Sequence, residues 1–193
     1  MSTKEKIMEA ATKLFAEKGY LGMTMKEIAN EVGIKPPSVY AFFDGKEDIF
    51  LAIYREALDG HLSTVESQFK SKPSAKSQLY SILKSAVDFQ FQEELKTKIL
   101  IRLMAFPPDF LKEDIAERFS FLEQNEYEII YAIFDHGIEN DEIKEADSHV
   151  LALSFQCLMD GLFWQMQRHT EEEVYKRLDM MFHQFWNGIS KEV

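Results

Sequence analysis

The sequence predicts an all-α fold, an N-terminal three-helix helix-turn-helix domain followed by a C-terminal six-helix domain. Three observations carry that prediction. Apolar residues recur at helical spacing along most of the chain. No stretch alternates apolar and polar residues as a half-buried strand does. The breaks fall where helix ends need them, at Gly19, Gly33, the Pro36 and Pro37 pair, Pro73, the Pro107 and Pro108 pair, and Gly137.

The first helix is predicted from Ile7, Ala10, Ala11, Leu14 and Phe15, which share one face, and it closes at Lys18, Gly19 and Tyr20. Thr24 can cap a short second helix over residues 25–32, with Met25, Ile28, Ala29 and Val32 turned inward. Gly33 sits where a helix end calls for a left-handed residue. A third short helix starts near Pro36 and Pro37, positions that a first turn tolerates, and it turns Val39 and Phe43 inward. Ala29 is small enough for two helices to cross closely. Together these form the sequence pattern of a helix-turn-helix, an element that reads DNA.

The body follows as six helices. The fourth helix spans residues 46–69, with Ile49, Phe50, Ile53, Ala57 and Leu58 on its apolar face, and a connector at 70–74 contains Pro73. The fifth covers 74–92 and carries Leu79, Ile82, Leu83, Ala86 and Phe89. The sixth covers 95–105, with Ile99, Leu100, Leu103 and Met104, and stops at Phe106, Pro107 and Pro108. The seventh is expected from Asp109 to His136, ending at Gly137; the eighth is capped by Asp147 and reaches about residue 169; the ninth fills 171–188.

Composition narrows the class. The chain has 193 residues, 46% of them hydrophobic, which suits one large folded domain or a small one fused to a larger one. No apolar run approaches the ~20 residues that a membrane span requires. The charged, helical N-terminus lacks a signal-peptide core. The lone Cys157 excludes an internal disulfide and fits a reducing, cytoplasmic setting. The net charge of −11 is unevenly placed: the first 47 residues hold seven lysines and seven acids, so the whole excess lies beyond them. A neutral head with clustered lysines can bind DNA, and the acidic body opposes loose, unspecific binding.

Beyond the turn, Tyr40, Phe42 and Phe43, then Lys46 and Glu47 opening a new helix, resemble the TetR family of one-component bacterial regulators. The match covers residues 4 to about 52. It implies a helix-turn-helix DNA-binding domain at 1–46 and an all-helical ligand-binding and dimerisation domain at 47–193. It further implies that Thr24, Tyr40 and Lys46 hold phosphates, with Lys26 on the same basic surface, and that Lys35, Pro37, Ser38 and Ala41 face base edges. Two departures stand out. Pro36 and Pro37 replace a more polar or glycine pair, and Ala41 and Phe42 stand where His and Tyr are frequent. Base reading is therefore expected to lean on apolar contacts and DNA shape. Phe42 and Phe43 are both read as core.

The last helices are too apolar for one chain to bury. In the family they pair with those of a second subunit, which implies a homodimer through Leu158, Gly161, Leu162, Leu178, Met181, Phe182 and Phe185. Two reading helices would then stand ~34–36 Å apart over a palindromic operator. A ligand chamber is expected from Phe89, Leu103, Met104, Phe106, Phe110, Tyr127, Tyr131, Phe155, Met159, Phe163 and Trp164, although residues of these types at helical spacing more often form plain core. Arg102, Asn125, Gln156, Asp160 and Gln165 are the polar residues among them. Asp160 can meet a cationic ligand, or pair with Arg102 or with a helix end across the dimer; the pairing is favoured.

Catalytic signals are lacking. His61, His136, His149, His169 and His183 show no metal-ligand spacing, and neither a phosphate-cradling loop nor a nucleophile turn occurs. No cofactor is expected. The resemblance thus implies a ligand-responsive, sequence-specific transcriptional regulator. It would be a repressor released from double-stranded DNA by a small hydrophobic or aromatic effector, with activation left open. A helical protein–protein adaptor that keeps the head without reading DNA is the alternative.

Overall fold

The computed structural model describes the backbone of residues 1–69 and 74–191, and the side chains in those ranges apart from 58–69. Its helices are α1 (Thr3–Gly22), α2 (Met25–Val32), α3 (Pro36–Val39), α4 (Lys46–Phe69), α5 (Ala75–Gln92), α6 (Glu94–Ala105), α7 (Lys112–Glu139), α8 (Ser148–Met166) and α9 (Glu171–Ile189), with a 3-10 turn at Asp109–Leu111. Among the described residues β-structure is limited to one isolated bridge, Ile143 to Ser190. Of the expected connector at 70–74, residues 70–73 lie outside the described residues, as does the side chain of Leu58.

The chain divides into two compact units, one of residues 1–61 and 93–117, the other of 62–92 and 118–193. The first takes in α1 to α3, the start of α4, all of α6 and the start of α7. In α1, Ser2 and Glu5 form a capping box, which satisfies two of the amides that a helix start leaves bare. Gly19, at φ 72°, interrupts α1 where the sequence placed its end, and a last turn resumes to Gly22. Thr24 and Glu27 repeat the capping box on α2, and Gly33 closes that helix in the left-handed region at φ 76°. Lys35 is extended, as a residue before proline must be, and Pro36 opens α3.

Burial explains why this unit is larger than the reading element. Ile28, Ala29, Val39 and Phe43 are buried, and so are Ile49, Phe50 and Ile53 of α4 and Ile99 and Leu103 of α6. Phe50 meets Phe15 edge-on at 4.7 Å and Tyr20 at 5.0 Å, and Phe110 joins them 5.1 Å from Tyr20. Edge-to-face rings at these distances stabilise beyond the area they bury.

The second unit has its own core, with Leu79, Leu83, Val87, Ile130, Phe134, Phe155, Leu178 and Phe182 at its centre. Two tyrosines tie α5 to α9: Tyr80 donates to Asp179 at 2.7 Å, and Tyr175 donates to Asp88. Asp147 caps α8 as expected, its carboxylate accepting from His149 N at 2.9 Å. Thr170 and Glu173 cap α9.

Gly137 does not end α7, which runs on to Glu139. The true stop is Asp141, in the left-handed region at φ 61°. Gly137 serves packing instead: a Cβ there would stand 2.6 Å from Ile143 Cδ1 and 2.9 Å from Ala75 Cβ. α8 likewise stops at Met166, short of the expected 169.

Candidate nucleic-acid interface and ligand site

The reading surface is built on α2, α3 and the turn after them. Thr24, Lys26, Lys35, Pro37, Ser38, Tyr40 and Ala41 are all exposed, while Lys46 is half-buried. Phe43 is core, but Phe42 is not: it is 42% exposed beside Tyr40 at 54%. Phe42 and Phe43 are neighbours in a tight turn, with both amides returning to Val39 O, so only one ring can point inward. The core reading of Phe42 is thereby corrected.

Hydrogen bonding qualifies two of the phosphate candidates. Thr24 Oγ1 accepts from Glu27 N at 3.2 Å and donates to Glu27 Oε2 at 2.8 Å, so its proton is spent inside the cap. Glu27 is held in turn by Lys18 at 2.7 Å. The Lys18 ammonium and the Thr24 hydroxyl keep the Glu27 carboxyl below its ordinary range. Lys46 Nζ stands 4.3 Å from the Tyr20 ring centroid, and burial lowers its pKa, an effect partly opposed by Glu27. A phosphate at this corner therefore meets a pre-paired network.

The ligand candidates fall in both units. Leu103 is 1% exposed in the first, whereas Met104 and Phe106 are 60% and 83% exposed and line nothing enclosed. Prolines at 107 and 108 end the helix before those side chains can fold back. Phe110 packs on Tyr20 and Phe50. In the second unit Phe155 is fully buried between Phe134 and Phe185, while Tyr127, Tyr131, Met159 and Phe163 are partly buried against the core. Phe89 is half-buried, and Trp164 and Asp160 are exposed. In the first unit the Arg102 guanidinium is engaged by the α1 carbonyls of Ala16 and Glu17.

Two features of this unit escaped the sequence. Glu126 is half-buried on α7, and burial first, then Asp160 and Glu123, push its carboxyl up to about 7. Its signal was an acid at a stripe position, four residues from Leu122 and from Ile130. The other is a ring cluster in which Tyr127 Oη lies 2.6 Å from His149 Nδ1, with Tyr131 4.5 Å from the same imidazole. Since α7 and α8 are joined by a turn, their spacing in sequence gave no hint of it.

Comparison with known proteins assigns the reading segment to a family. The profile of bacterial regulatory proteins of the tetR family matches residues 7–53, the segment holding α2, α3 and their flanks. Residues 7–53 form a tetR-family domain. The chain is 36% identical over 110 residues to the biofilm operon icaADBC negative transcriptional regulator IcaR of Staphylococcus aureus, covering 55% of this chain and 56% of that one. It is 24% identical over 142 residues to the fatty acid metabolism regulator protein of Bacillus subtilis, covering 72% and 70%. It shares its fold, at TM-score 0.68 and 21% identity over 95% and 97% of the chains, with AibR in complex with isovaleryl coenzyme A and operator DNA. The matched segment and the curated relatives are those of transcriptional regulators, so the adaptor reading is not favoured. Among the chain's described residues no helix is long and apolar enough to cross a membrane.

The expected dimer residues divide by burial. Leu162, Leu178 and Phe182 belong to the core of their own unit, and Leu158, Met181 and Phe185 pack partly against it. Gly161 is exposed, with nothing within 4 Å of a Cβ built there. The apolar residues that α8 leaves to solvent are Val150, Leu153 and Trp164.

Proposed function

We propose that this protein is a cytoplasmic, homodimeric repressor that leaves a palindromic operator when a small hydrophobic molecule binds its body. Residues 1–46 act as the DNA-reading head and 47–193 as the ligand and dimer domain. Tyr40, Lys26 and Lys46 hold phosphates, with Thr24 joining once its hydroxyl turns from Glu27, and Lys35, Pro37, Ser38 and Ala41 meet base edges. The observation that carries this reading is the exposure of the reading set, all of it open but Lys46, on a rigid capped frame. Such a frame holds the register before DNA arrives, which spares the ordering cost of binding.

The effector class follows from the body. Tyr127, Tyr131, Met159 and Phe163 offer partly buried rings and a thioether to an apolar chain. Acyl thioesters of coenzyme A are the first class to test, given the isovaleryl coenzyme A complex of AibR and the fatty acid regulator among the relatives. A gel-shift assay on duplexes from the protein's own upstream region, with salt titrated, tests the DNA reading. Selective binding that weakens steeply with salt is expected. Addition of acyl coenzyme A esters of increasing chain length then tests release. Absence of any sequence-selective binding would sink the proposal.

A further inference from the structure

We propose, on the strength of the DNA reading above, that Lys4 at the start of α1 is a further phosphate contact of the reading head. The first 47 residues are neutral overall, so the lysines left without a carboxylate decide where an anion docks. Lys13 is held by Glu31 at 2.9 Å and Lys18 by Glu27 at 2.7 Å, which neutralises those two where α1 meets α2. Lys4 pairs with no carboxylate among the described residues; its Nζ stands 5.4 Å from the centroid of the Phe43 ring. Phe43 is buried and Lys4 is exposed, so the lysine stem lies at the rim of the core with its ammonium open to solvent.

Helix geometry accounts for this placement. Lys4, Ile7, Ala11 and Phe15 follow at steps of three and four, so Lys4 extends the stripe by which α1 buries the other three. Lys6 lies about 200° further round the helix and faces away from that stripe. Phe43 belongs to the turn that displays Tyr40 and Phe42, since the amides of Phe42 and Phe43 both return to Val39 O. The Lys4 ammonium therefore stands at the edge of the reading surface, outside the helix-turn-helix itself. From an edge it meets the sugar–phosphate backbone before any base, and a compact, strongly hydrated point charge suits that contact. Lys46 is stationed in the same way, 4.3 Å from the Tyr20 centroid. A ring that holds the stem before DNA arrives lowers the side-chain ordering cost of the contact.

The experiment uses duplexes that the full-length wild-type protein selects from a random pool. Lys4→Met keeps an apolar stem over Phe43 and removes the charge. It is expected to lower affinity roughly eightfold at about 0.1 M salt for each head engaged, and to flatten the slope of log affinity against log salt by about 0.9 per head. The loss should be the same on the selected duplex and on variants with one base pair changed, because phosphates carry no sequence. Lys4→Arg should keep the wild-type slope, and so should Lys6→Met. An unchanged slope for Lys4→Met overturns the proposal. So does an equal loss for Lys6→Met, which would mean that any charge near the head counts alike, and so does a loss confined to one sequence. Should Lys4→Met fail to fold, the slope of Lys4→Gln decides. Failure of the wild type to select any duplex would overturn the DNA reading, and this contact with it.

Discussion

Ser38 and Lys35 are the only hydrogen-bonding side chains among the four expected to face base edges; Pro37 and Ala41 offer carbon alone. The exposed Phe42 beside them enlarges that apolar surface. Such a surface recognises thymine by its methyl group. Replacing thymine by deoxyuridine in a selected duplex should weaken binding by about 0.8 kcal/mol, roughly fourfold, for each methyl that the protein buries. Titration of the two duplexes side by side checks this, and equal affinities would mean that shape alone is read. Glu126 supports a second prediction at this scale. Its folded pKa of about 7 is raised above the ordinary 4.5, so its contribution is fully present below pH 4.5 and is lost as pH rises toward 7. Glu126→Gln should therefore stabilise the protein by up to about 3 kcal/mol at pH 8 and leave it nearly unchanged at pH 4. Urea midpoints at the two pH values test it, and a pH-independent effect would contradict the assignment.

Helix ends were mostly legible because they depend on a few local residues. Thr24 and Asp147 cap by their own side chains, Gly33 needs only its left-handed freedom, and Pro36 fits a first turn. Gly137 shows where that logic fails. Locally it looks like a helix stop, but the reason for glycine lies in Ile143 and Ala75, one of which is 62 positions away in sequence. Long-range crowding leaves no local trace. The two roles predict opposite outcomes for Gly137→Ala. If glycine merely punctuated the helix, alanine in a continuous α7 would gain about 1 kcal/mol from helix propensity. Because the new methyl meets a neighbour's Cβ at 2.9 Å, overpacking of ~1–3 kcal/mol should outweigh that gain. A lowered urea midpoint with unchanged helicity is the expected result. The same reasoning explains Phe42 and Phe43: period alone makes both apolar, and the turn through Val39 decides which one is buried.

For the whole molecule, the decisive quantity is what α8 leaves uncovered. Val150, Leu153, Cys157, Gly161 and Trp164 follow one another at steps of three or four, so they form one stripe along the helix, and all five are exposed. Leu162 and Phe155 fill the opposite, buried side. A monomer gains nothing by exposing Leu153 at 56% and Trp164 at 55%, whereas a two-fold partner would bury both, and Gly161 would let the two helices approach closely. Two variants then separate assembly from folding. Leu153→Glu combined with Trp164→Glu should yield a folded monomer in sedimentation velocity, with helicity kept and full-site DNA affinity reduced at least a hundredfold by loss of the second head. Leu178→Ala, in the core of its own unit, should instead cost ~2–5 kcal/mol of stability and leave any remaining folded protein dimeric. If the charged pair leaves the dimer intact, the outer stripe of α8 is not the interface, and the second reading head must be held by another surface.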